Sequence, residues 1–154
     1  MEAGRPGSRE PEMLIDERPA GLSEELIRRI VHAFYGKVRE DLVLGPIFES
    51  KLRDRWDAHL ATMIDFWSSV ALRSGRYAGK PHAAHHGLNL EHAHFLRWLD
   101  LFEETVSTLC ERDVAAFFVD RAHRIADSLQ VGLNIGPKAL HFPARPARDT
   151  FSGD

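Results

Sequence analysis

The residues with the most obvious chemical potential are histidines: the chain has nine, and His82, His85, His86, His92 and His94 crowd a single stretch. Neutral imidazole is a common ligand for zinc, copper, nickel and iron, so a tract of this kind points first to metal binding. A zinc-hydrolase reading lacks its other parts. There is no H-E-x-x-H, Cys110 is the lone cysteine, and Glu91–His92–Ala93–His94 offers no three-ligand helical face with a general base. Taken singly, each of these histidines reads more readily as an exposed polar residue on a short helix and its loop. His85 stands apart because of what else the chain carries. A flat apolar cofactor wedged between helices needs one strong axial ligand, an apolar wall and few polar groups on the far side. His85 could supply the ligand, and His59, Met63, Phe66 and Trp67 lie at helical spacing for the wall. That stripe alone is more often ordinary core. Tyr35 and Trp98 bring a hydroxyl and an indole N–H that need partners if buried, and each also reads as a satisfied core aromatic.

The elements that must position these side chains are helical. Ser23 can cap a first helix, along which Leu26, Ile30, Phe34 and Val38 recur at four-residue spacing. The run LGPIF, 44–48, breaks the pattern and is expected to form a short turn. Asp54 can begin a second helix carrying Trp56, His59, Leu60, Met63, Phe66, Trp67 and Val70 along one side. Residues 74–81 read as a loop, followed by the short piece HAAHHGL. A third helix is expected over about 91–111, interrupted at Arg112–Asp113, and a fourth runs to about 134. No segment alternates long enough to make a strand. The fold class expected is all-α, with four main helices and one irregular stretch around 72–90.

Composition bounds the rest. The chain has 154 residues, enough for one domain with its own core and too few for two. Apolar residues at 44% against 28% charged argue for a globular fold over disorder. A formal net charge of −3 gives no electrostatic case for nucleic acid. No apolar run reaches the ~18 residues needed to span a bilayer, and residues 1–20 lack a secretory apolar stretch. With a single cysteine, these features make the cytoplasm the expected location. Six of eight prolines lie near the two ends. The ranges 1–20 and 136–154 are therefore expected to be flexible tails flanking a domain over 21–135.

Several fragments together resemble group III truncated haemoglobins. They are AFYGKVREDLVLGPIF at 33–48, W-x-x-H at Trp56–His59, D-F-W at 65–67, Y-x-G-x-P-x-x-x-H at Tyr77–His85, and RWLDLFEE at 97–104. The resemblance spans roughly 22–134, in order. It implies a globin-like two-over-two sandwich, helices B and E stacked on G and H, around haem b. Position by position it implies His85 as the proximal iron ligand, four residues after Pro81. Tyr35, His59 and Trp98 match the distal residues that face bound ligand, and Phe34, Met63, Phe66 and Trp67 the pocket wall or adjacent core. In place of the family's often proline-rich link before helix G stands the proline-free GLNLEHAH. The ligands implied are O2, NO and CO. A tyrosine hydroxyl and an indole N–H aimed at partly negative O2 would slow its release, a property suited to NO dioxygenase- or peroxidase-like chemistry, with a reductase partner, and unsuited to bulk transport. Two readings from other classes stand beside it: a haem-free histidine-cluster metal-binding protein, and a helical interaction module.

Overall fold

The computed structural model describes residues 18–79, 85 and 87–139. Five helices appear among them: α1 Glu24–Glu40, α2 Leu44–Leu52, α3 Trp56–Leu72, α4 His92–Leu109 and α5 Arg112–Leu133. In α1, the Ser23 Oγ accepts the Leu26 N–H at 3.1 Å, satisfying one of the orphan donors of the first turn. Glu24 and Glu25 open the helix and Lys37 and Arg39 close it, complementing its dipole. Its buried face is Ile27, Ile30, Val31, Phe34, Tyr35 and Val38.

The 44–48 segment is helical and not the expected turn. Pro46 falls in the first turn of α2, where a backbone N–H has no helical partner to lose. Asp41 initiates the helix from outside it, its Oδ2 accepting the N–H groups of Val43 at 3.0 Å and Leu44 at 2.9 Å. Gly45 permits the tight corner: a Cβ there would lie 2.7 Å from the Arg39 carbonyl oxygen. The second expected helix begins at Trp56, two residues after Asp54. The α4–α5 break falls at Cys110–Glu111, both extended, so that Arg112 and Asp113 belong to α5.

Helices α4 and α5 pair along their lengths, α1 packs on α3, and α1 also crosses α4. These pairings form two helical layers with an aromatic seam between them. Trp67 of α3 stacks on Phe102 of α4 at 5.1 Å, and Trp98 stacks on the same ring at 5.5 Å, nearly parallel at 2°. Phe118 of α5 meets Trp67 edge-on at 5.7 Å, and Phe34 of α1 meets Phe102 at 5.2 Å. The all-α architecture agrees with expectation.

The described parts of the expected tails pack on this body. Arg18 donates to the carbonyls of Ala71 at 3.0 Å and Val70 at 3.2 Å, covering the end of α3. At the other end, Lys138 pairs with Asp127 at 2.8 Å and Ala139 is buried. Residues 1–17 and 140–154 lie outside the described residues.

Candidate haem-binding site

A cavity of about 210 Å³ opens between the layers, and every helix contributes to its wall. Tyr35 comes from α1; Leu44, Ile47, Phe48, Lys51 and Leu52 from α2; His59, Thr62, Met63 and Phe66 from α3. Tyr77, His85, Leu88 and Leu90 come from the connection before α4; His94, Phe95 and Trp98 from α4; Ile125, Ala126 and Leu129 from α5. The lining is overwhelmingly apolar, with a small set of hydrogen-bonding groups at defined places, the usual make-up of a cofactor site.

Tyr35 reaches the cavity because it shares the inward face of α1 with Val31 and Val38, and only 3% of it is exposed. Its ring meets His59 edge-on at 4.8 Å and Phe48 at 5.8 Å. Burial pushes its phenol well above the ordinary tyrosine range, while the nearby Trp98 indole pulls the other way. The hydroxyl therefore keeps its proton. Trp98 lines the cavity while its ring rests on Phe102 and meets Phe34 edge-on at 5.3 Å.

His59 sits one turn into α3, bracketed by Tyr35, Phe48 and Trp56. Trp56 is itself held by an Nε1–H bond to Glu49 at 3.0 Å, with the Arg39 guanidinium 4.5 Å over its ring. The His59 Nε2 is buried with no hydrogen-bond partner among the described residues. Burial, and then the charge of His85, push the His59 imidazole down to about 4, so it is neutral at physiological pH. An unsatisfied buried nitrogen on a residue that lines an apolar cavity calls for an explanation, and a ligand partner is one. His85 is half-buried, lines the same cavity and lies 6.5 Å from the Phe95 ring.

The connection after α3 is stapled in place. Arg76 grips Glu24 through two bonds of 2.9 and 3.0 Å and reaches Asp65 at 2.9 Å. The Tyr77 N–H donates to Ser69 Oγ at 3.0 Å, and its ring meets Phe66 edge-on at 5.1 Å. This holds the Tyr77 side chain against the cavity.

The structure brings His85, His59, Tyr35, Trp98, Met63 and Phe66 together on one cavity. Phe34 and Trp67 are not on its surface: they are 1% and 2% exposed and form the layer behind it. Helical spacing cannot separate a wall residue from its backing when both point inward. Among the described residues, the histidines of the tract do not act as one unit. His92 Nδ1 is 2.7 Å from Gln130 Oε1, and His94 Nδ1 accepts the Glu91 N–H at 2.9 Å, closing the α4 capping box. His82 and His86 lie outside the described residues. Among the described residues no three His, Cys, Asp or Glu side chains converge as a metal cluster.

Sequence reasoning missed Leu44, Ile47, Phe48, Lys51, Leu52, Thr62, Tyr77, Leu88, Leu90, His94, Phe95, Ile125, Ala126 and Leu129 as lining residues. Phe48 and Tyr77 stood at the ends of motif fragments, and Ile125 and Leu129 repeat at four-residue spacing. Nothing in the sequence marked Lys51.

The donor set fits a haem: an imidazole on the cavity wall, a second with an orphaned nitrogen, two further N–H and O–H donors and a predominantly apolar surround. Among the described residues, no helix is long and apolar enough to cross a membrane. No family model matches the sequence. A group 3 truncated hemoglobin of Campylobacter jejuni is 33% identical over 113 residues, covering 71% of this chain and 89% of that relative. The crystal structure of the group III truncated hemoglobin from Campylobacter jejuni matches with a TM-score of 0.69 at 32% identity, covering 73% of this chain and 92% of that one. With that identity, that coverage and a shared all-α fold, the chain belongs to the group III truncated haemoglobins.

Proposed function

We propose that this protein binds haem b with His85 as the iron ligand and uses Tyr35, Trp98 and His59 to hold O2 for reaction, not for transport. The observation that carries the reading is the convergence of those four side chains on one apolar cavity. Bound haem would supply an iron that takes O2, NO and CO and shifts electron density onto them.

What the chain contributes is polarity at defined points. The buried Tyr35 hydroxyl keeps its proton and so acts as a donor. Trp98 Nε1–H is a donor only. His59 is neutral, and either ring nitrogen can carry its proton. Donors aimed at an oxygen that has gained negative charge form charge-assisted bonds, worth roughly 1.5–3 kcal/mol each. At about 1.4 kcal/mol per tenfold, even one such bond slows release by an order of magnitude or more. CO gains less charge and is held less by the same donors. Slow O2 release favours reaction with NO, or peroxide chemistry, with a reductase as electron source.

The test is His85→Gly. The variant should lose the Soret absorption of the purified protein and regain it when imidazole is added. A wild-type haem spectrum in His85→Gly would overturn the assignment of the ligand.

A further inference from the structure

Between the helix that carries Tyr35 and the helix that carries Trp98 lies a single carboxylate with four donors on it. Asp41 caps the C-terminus of α1, its side chain only 4% exposed. Its Oδ2 accepts the backbone N–H groups of Val43 and Leu44, which start α2. Its Oδ1 accepts the Arg97 Nε–H at 2.8 Å and an Nη2–H of the same guanidinium. The Asp41 N–H bonds back to Val38 at 3.1 Å, and its carbonyl takes the Gly45 N–H at 2.9 Å. One residue thus ties together the end of α1, the start of α2 and the first turns of α4.

We infer that Asp41 and Arg97 are positioning residues that set the Trp98 indole against the Tyr35 hydroxyl, and through that pair the cavity's preference for O2 over CO. This rests on the reading of Tyr35 and Trp98 as ligand donors. Arg97 immediately precedes Trp98, so the ion pair anchors α4 at the residue next to the indole. Tyr35 lies less than two turns upstream of Asp41 on α1. The other contacts of the Trp98 ring are nearly parallel stacking on Phe102 and an edge-on meeting with Phe34, and aromatic faces tolerate sliding. A guanidinium fork on a carboxylate is directional and fixes both distance and angle. Burying a carboxylate is also a poor way to gain stability, since apolar residues of similar volume often do as well or better. What a fully bonded, buried carboxylate adds is geometry. Catalytic and ligand-holding donors lose much of their effect when displaced by about 1 Å.

The test uses the full-length protein and three variants. Asp41→Asn keeps an acceptor for the α2 N–H groups and sets an uncharged amide against Arg97. Arg97→Met removes the fork while keeping a long side chain, and Arg97→Lys restores the charge without the fork's second bond. Two quantities are read: the indole N–H resonances of the three tryptophans, assigned through their Phe variants, and the O2 and CO dissociation rates. Asp41→Asn and Arg97→Met should both move the Trp98 resonance and leave that of Trp67, deep in the seam, in place. Both should speed O2 release by about threefold to tenfold, with CO release changed by less than about twofold. Arg97→Lys should fall between Arg97→Met and wild type on both readouts. A lowered melting temperature with the Trp98 resonance and the O2 rate unchanged would overturn the inference, leaving the pair with a purely structural role. Tyr35→Phe and Trp98→Phe are measured alongside. If neither changes O2 release, it is the donor reading that fails, and the Trp98 resonance in Asp41→Asn still decides whether the ion pair positions the indole.

Discussion

Replacing His59 by leucine should make the haem-free protein more stable. The His59 Nε2 is buried and has no partner among the described residues. A buried polar atom left unsatisfied costs about 1–3 kcal/mol, and an apolar side chain of similar size does not incur it. Leucine gives up the edge-on contact with Tyr35 at 4.8 Å, which offsets about 0.5–1.5 kcal/mol of that gain. The net expectation is about 0.5–1.5 kcal/mol of stabilisation, or roughly 2–6 °C in melting temperature for a domain of this size. The effect should also depend on pH with a definite sign. His59 titrates at about 4 when folded, because burial and then the His85 charge disfavour its cation, against an ordinary value of 6.5. Between those values the unfolded chain binds more protons, so wild-type stability falls as pH drops from 6.5 toward 4. His59→Leu lacks this contribution, and the gap between variant and wild type should widen from pH 7 to pH 5. Thermal unfolding of both haem-free proteins at the two pH values measures it. A variant less stable than wild type at pH 7, or a gap that does not change with pH, would refute the orphaned-nitrogen argument. A side chain that costs stability where it stands is the kind a binding site retains.

Three further predictions concern the frame around the cavity. Gly45→Ala should destabilise by about 1–3 kcal/mol in denaturant titration, because its Cβ would sit 2.7 Å from the Arg39 carbonyl oxygen. Gly36→Ala, on the same assay, meets nothing within 4 Å inside α1 and should stabilise by about 0.5–1 kcal/mol. Arg18→Ala should lower the unfolding free energy by about 1–2 kcal/mol, since two charge-assisted bonds to the Ala71 and Val70 carbonyls at the end of α3 are lost. Equal melting temperatures for Arg18→Ala and wild type would show that these two Arg18 bonds add nothing to the domain's stability.

What the amino-acid order determined by itself is what local chemistry controls. The 3.6-residue recurrence of Ile27, Ile30, Val31, Phe34 and Val38, capped by Ser23, is enough to specify α1 and its inward face. The resemblance carried by the motif fragments, and not periodicity, points to Tyr35, His59, His85 and Trp98, and the packed helices bring all four to one cavity. The segment 44–48 reads locally as a turn because its helix is begun by Asp41, a residue outside it, and because a proline in a first turn resembles a breaker. Phe34 and Trp67 could not be told from Met63 and Phe66, since which inward-facing residue meets the cavity depends on how α4 and α5 approach from the other layer. The Asp41–Arg97 pair joins residues far apart in the chain and leaves no local pattern. Likewise, the orphaned His59 nitrogen exists only because packed helices exclude both water and partners from it. Local periodicity selects elements and their faces; the cavity arises where those faces fail to close on one another, and only the packed structure contains that information.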